Sequence, residues 1–98
     1  MAHAFPVNVK WAEWKGISLP SSGWYSTLAR FPGDDERVER WSVTVKFSGD
    51  QPREVGSTWR GIASFLSEDA PHDFVREGVV FELREGDRAS ATVTILNE

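Results

Sequence analysis

The chain has 98 residues, a formal net charge of −4, no cysteine, 5 Trp and 6 Phe. That length makes one domain, residues 1–98, large enough to bury a core without covalent staples. The absence of thiols excludes disulfides, thiolate metal sites and cysteine nucleophiles, and the acid excess disfavours binding to a phosphate backbone. No apolar run approaches the roughly 20 residues of a membrane-spanning helix. The opening Met-Ala-His-Ala-Phe-Pro has no basic start and no long apolar stretch, so no secretory signal is expected and the expected location is cytoplasmic.

Phe5, Val7, Val9 and Trp11 alternate with Pro6, Asn8 and Lys10, which predicts a first strand with one buried face. Trp14 falls out of that phase, so a bulge or a strand end is expected near Ala12 or Glu13. Lys15 to Gly23 reads as a loop from its Gly, Pro and Ser content. Trp24 to Phe31 predicts a second strand. Its faces are Tyr25, Thr27, Ala29 and Phe31 against Trp24, Ser26, Leu28 and Arg30, and alternation alone leaves open which is buried.

Residues 32–40 read as a charged surface loop, in which Asp34, Asp35 and Glu36 lack the spacing of a calcium loop. Trp41, Val43, Val45 and Phe47 then alternate with Ser42, Thr44 and Lys46 as a third strand. Ser48 to Gly56 is a loop. Trp59, Gly61, Ala63 and Phe65 share one face of a fourth strand, with a short helix as the competing reading. Ser67 to His72 reads as a turn, in which Pro71 ends the element that precedes it, and Asp73 to Glu77 has room for one helical turn.

Two closing strands follow. Val79, Phe81 and Leu83 alternate with Val80, Glu82 and Arg84; Ala89, Ala91, Val93 and Ile95 alternate with Ser90, Thr92 and Thr94. Gly86 between them supplies the positive φ of a bulged hairpin turn. Six short strands separated by turns, with no βαβ crossover, predict an all-β antiparallel barrel or sandwich.

The segment Glu77-Gly78-Val79-Val80-Phe81-Glu82-Leu83-Arg84-Glu85-Gly86-Asp87-Arg88 resembles the C-terminal barrel domain of translation elongation factor Tu, which has a segment of the form E-G-x-x-F-x-[IL]-R-E-G-x-R near its end. Gly23-Trp24-Tyr25, a Gly-containing loop ending in an aromatic pair, agrees in order. The resemblance implies a small closed six-stranded antiparallel β-barrel. The chain departs from the family at Ala91-Thr92-Val93 and at Ser26-Thr27, and has no Gly-x-x-x-x-Gly-Lys-Ser/Thr phosphate loop, so no GTP hydrolysis is implied.

The sequence gives little chemistry. His3 and His72 are the two histidines, and with no cysteine they make no recognisable zinc set. His72-Asp73 reads as a surface turn, and Ser64 and Ser67 lack a nucleophile-elbow pattern. No enzyme, metal or cofactor is expected. Trp11, Trp14 and Trp24 cannot share one strand face, and a Trp outside the core is either a cover for a barrel end or an anchor for a partner. The expected function is a non-enzymatic module that binds another protein. Trp14, Trp24, Tyr25, Arg84 and Arg88 are the candidate binding residues and Gly86 the structural turn. A carbohydrate- or small-ligand-binding barrel on the same Trp platform is the alternative, and tRNA binding the weaker one.

Overall fold

The computed structural model describes residues 4–17, 19, 23–30, 41–47, 49, 51–66, 75–86 and 88–96. Readings that fall on His3, Phe31, residues 32–40, residues 67–74 and Asp87 lie outside these residues. Six strands run β1 (Ala4–Trp11), β2 (Trp24–Arg30), β3 (Trp41–Phe47), β4 (Thr58–Phe65), β5 (Val80–Glu85) and β6 (Arg88–Ile95), with one 3-10 turn at Glu13–Ile17. They close into an antiparallel barrel in the order β1-β4-β3-β2-β5-β6. Pairing of Val7 with Ile95 through Trp11 with Ala91 shuts the seam between β1 and β6. A closed barrel leaves no strand edge unpaired.

Side-chain alternation decides what the barrel holds. Phe5, Val7, Val9 and Trp11 of β1 point inward, as do Val43, Val45, Trp59, Ala63, Phe65, Phe81, Leu83, Val93 and Ile95, all of them buried. Each large side chain buried in this way contributes roughly 1.5–3 kcal/mol. The rings divide between the two ends. Phe5 packs on Phe65 and Phe81, with centroids 5.8 and 6.5 Å away. At the other end Trp11 meets Tyr25, Phe47 and Trp59 at 5.1, 6.0 and 5.3 Å. Small residues at Ala29, Gly61, Ala63 and Ala91 make room for these rings. At Gly61 the fit is tight: a Cβ there would lie 2.6 Å from the Lys46 carbonyl oxygen and 2.9 Å from a Val45 methyl.

The buried face of β2 carries Tyr25, Thr27 and Ala29; Trp24, Ser26 and Leu28 face solvent. Residues 58–65 are strand rather than helix. Two expectations are corrected. The segment read as loop from Lys15 begins inside the 3-10 turn, where the chain leaves β1 and folds back over the barrel end. Lys15 N donates to Ala12 O at 3.1 Å, and Ala12 N donates to Ser90 O at 2.9 Å.

The second correction concerns β6, where a simple alternation places Ser90 outside. The pairing of β5 with β6 shifts between Leu83 and Arg84: Leu83 opposes Ala91, but Arg84 opposes Ala89. Ser90 is the extra residue of this bulge and is fully buried. Gly86 closes the hairpin with φ +63.

Candidate functional site

Two regions collect the polar and aromatic side chains that the core leaves over. The first is the barrel end that the 3-10 turn covers. The Tyr25 hydroxyl donates to the Glu85 carboxylate and lies 2.9 Å from Ser90 Oγ. Ser90 Oγ also donates to the Leu83 carbonyl at 3.2 Å, so the buried serine hydroxyl sits between the Tyr25 hydroxyl and the β5 backbone. Lys15 Nζ reaches Glu85 Oε2 at 2.6 Å and sits 5.1 Å from the centroid of the Tyr25 ring.

These contacts explain two titration shifts. Burial, and then the bond to Glu85, push the Tyr25 phenol well above its ordinary value. Burial alone would raise the Glu85 carboxyl. Bonds from Lys15 and Tyr25, together with the Lys15 charge, outweigh it and hold Glu85 below its ordinary value. Two more cations cover rings at this end. The Arg88 guanidinium lies 3.9 Å from the Trp14 ring and that of Arg53 5.6 Å from the Trp59 ring. Trp14 Nε1 donates to the Ala89 carbonyl at 2.9 Å. Trp14, Tyr25 and Arg88 are thus built into the cover of a filled barrel end, and Arg84 bonds Glu82 at 3.1 Å on the barrel wall. The cluster ties turn to hairpin, with Ser90 fully buried and Lys15 nearly so. Among the described residues no group of three or more His, Cys, Asp or Glu could hold a metal ion.

The second region is the outer wall of β2, β3 and β4. Trp24 is 56% exposed there. Trp24 pairs with Lys46, and Lys46 pairs with Ile62, so the three make one row across the strands. Two rows along, Leu28 pairs with Ser42, and Leu66 N donates to Ser42 O at 3.1 Å. The exposed Trp24, Ile62, Leu28 and Leu66 therefore occupy the corners of a patch. Its sides are ~10 by ~13 Å from strand spacing and rise. The row between holds Ser26, Thr44 and Ser64, with Ser26 Oγ 3.1 Å from Thr44 Oγ1.

Of the candidates read from the sequence, only Trp24 lies on this wall. Leu28, Ile62, Leu66 and Lys46 are not candidates on sequence grounds. The available signal was Ile62, an apolar residue in the outward phase of a strand whose inward phase is Trp59, Gly61, Ala63 and Phe65.

Fold and wall together define a filled, closed, six-stranded antiparallel barrel with an apolar patch on its outer surface. Compared with protein-family models, with curated proteins and with solved structures, the chain has no match.

Proposed function

We propose that this chain is a non-enzymatic binding module that docks another protein on the outer wall of β2–β3–β4. The observation that carries the reading is the exposure of Trp24 beside Ile62, Leu28 and Leu66 on strands that pair with one another. A packed barrel needs its inward face apolar and gains nothing from four large apolar side chains facing water, and such grouped exposure marks interaction surfaces. Trp is also the side chain most enriched among interface anchors. The likeness of residues 77–88 to the C-terminal barrel of elongation factor Tu supports a module that binds rather than catalyses.

The sugar reading is weaker on this wall. Carbohydrate hydroxyls call for carboxylates and amides beside the aromatic platform, and the outward residues of β2 and β3 are Trp24, Ser26, Leu28, Arg30, Ser42, Thr44 and Lys46.

The test is affinity capture from native extract with the wild-type chain and a Trp24→Ser/Ile62→Ser variant. One protein retained at near-equal stoichiometry by the wild type and lost from the variant is expected. Retention of the same protein by both would overturn the site. Saturable quenching of tryptophan fluorescence by a sugar, with no protein retained, would overturn the function.

A further inference from the structure

The net charge of −4 hides a division of charge between the barrel wall and the rest of the chain. Each strand carries one cation: Lys10, Arg30, Lys46, Arg60, Arg84 and Arg88. The strand carboxylates are Glu82 and Glu85, both on β5. The strands β1, β2, β3 and β4 therefore hold no carboxylate at all, although acidic residues outnumber basic ones in the chain.

Three of these cations form a line. Lys46 pairs with Ile62, two residues from Arg60 on the same face of β4. Arg60 in turn pairs with Asn8, two residues from Lys10 on the same face of β1. Lys46, Arg60 and Lys10 are thus diagonal neighbours across β3, β4 and β1, at steps of roughly 7–8 Å. All three are exposed, and none is in an ion pair with a described carboxylate. The line starts inside the apolar patch, because Lys46 stands between Trp24 and Ile62.

We infer that the occupant of this wall is an acidic protein segment that also carries apolar side chains, with its carboxylates along Lys46, Arg60 and Lys10 and its apolar groups on Trp24 and Ile62. This rests on the docking reading above and adds the chemistry of the partner. Exposed cations with no described carboxylate beside them repel one another and add little to folding, so a complementary row of carboxylates is the arrangement that uses them. Carboxylates on alternate residues of an extended segment are ~6.6–6.8 Å apart, close to the spacing of the line. Each strand of the closed barrel is already paired with a neighbour on both sides, β2 with β5 over Leu28–Arg30, so such a segment is read chiefly by side chains. A nucleic acid fits less well. Its bases stack on aromatic faces, whereas three of the four patch corners are aliphatic, and the whole chain is acidic.

The experiment is a selection of random displayed short peptides on the immobilised full chain, followed by binding of the enriched peptides to wild type, Lys46→Glu and Trp24→Ser. Both substitutions replace exposed side chains, and unchanged thermal melts confirm folding. The expected winners combine Asp or Glu with Leu, Ile, Phe or Trp. Their affinity should fall about tenfold or more in Lys46→Glu and weaken as salt rises. Winners that are apolar without acidic residues, and indifferent to Lys46→Glu, would overturn the acidic-partner inference while leaving the docking face in place. Winners unaffected by Trp24→Ser would overturn the docking face itself. Binding of tRNA at physiological salt that Lys46→Glu abolishes, with no acidic peptide enriched, would overturn both in favour of a phosphate partner.

Discussion

Lys15 Nζ stands 2.6 Å from Glu85 Oε2, with the lysine side chain 8% and the glutamate side chain 34% exposed. This ion pair joins the 3-10 turn after β1 to the end of β5, residues 70 positions apart in sequence. Glu85→Gln should destabilise the fold by about 1–2 kcal/mol, less than the ~3–5 of a fully buried pair because water screens the glutamate. The pH dependence follows from its depressed folded-state pKa. Its contribution is complete above the ordinary glutamate value near ~4.3 and is lost as pH falls through the folded value. Denaturant unfolding of wild type and variant should therefore show a stability gap at neutral pH that closes on acidification.

Tyr25 is the one tyrosine of the chain, so its titration can be read directly. Burial and the bond to Glu85 raise its folded-state pKa above the unfolded value. The protonated phenol thus stabilises the fold below about pH 10, and that contribution is lost as pH rises toward the folded value. Tyrosinate absorbance should appear together with loss of the native circular dichroism. A native-state titration at about pH 10 would contradict the buried hydrogen bond.

Gly86 sits at φ +63 with open space around a would-be Cβ, so the cost of replacing it is conformational rather than steric. Gly86→Val should destabilise by more than ~1 kcal/mol, read as a lower denaturation midpoint with an unchanged slope.

Gly61 presents the opposite case. Its place in a regular strand makes no demand on φ, but a methyl group would press on the Lys46 carbonyl and the Val45 and Phe47 side chains at 2.6, 2.9 and 3.0 Å. Gly61→Ala should cost about 1–3 kcal/mol by overpacking, despite the better strand propensity of alanine. An unchanged melting temperature would show that β3 and β4 can part without penalty.

These positions show what a sequence can and cannot disclose. The strands were legible because their inward residues repeat at every second position, as in Trp41, Val43, Val45 and Phe47. The turn at Gly86 was legible because two alternating runs meet there. Ser90 was not: its burial depends on a shift of pairing between Leu83 and Arg84, and a bulge inverts the phase without changing the letters. Lys15 looked like a loop residue because its partners, Tyr25 and Glu85, are brought to it only by barrel closure. The exposed apolar wall is half legible. Trp24 stood out as a ring, but Ile62 and Leu66 join it only through the registers of β2, β3 and β4.

Trp24 is 56% exposed on the outer wall, whereas Trp59 is 2% exposed inside the barrel. Trp24→Ser should change stability by no more than ~0.5 kcal/mol, as for other exposed positions. Trp59→Ser, which removes a buried ring, should unfold the chain or cost more than ~3 kcal/mol. A comparison of their thermal melts separates the outward from the inward tryptophan.

The most direct test of the docking wall is a two-dimensional amide and indole nuclear magnetic resonance spectrum of the labelled chain, recorded with and without the captured partner. The Trp24 indole and the amides of Ser26, Thr44, Ile62 and Ser64 should shift or broaden, while the Trp11 and Trp59 indoles stay in place. Perturbation centred instead on Trp14, Arg84 and Arg88, with the Trp24 signal unmoved, would contradict the assignment of the binding face to β2–β3–β4.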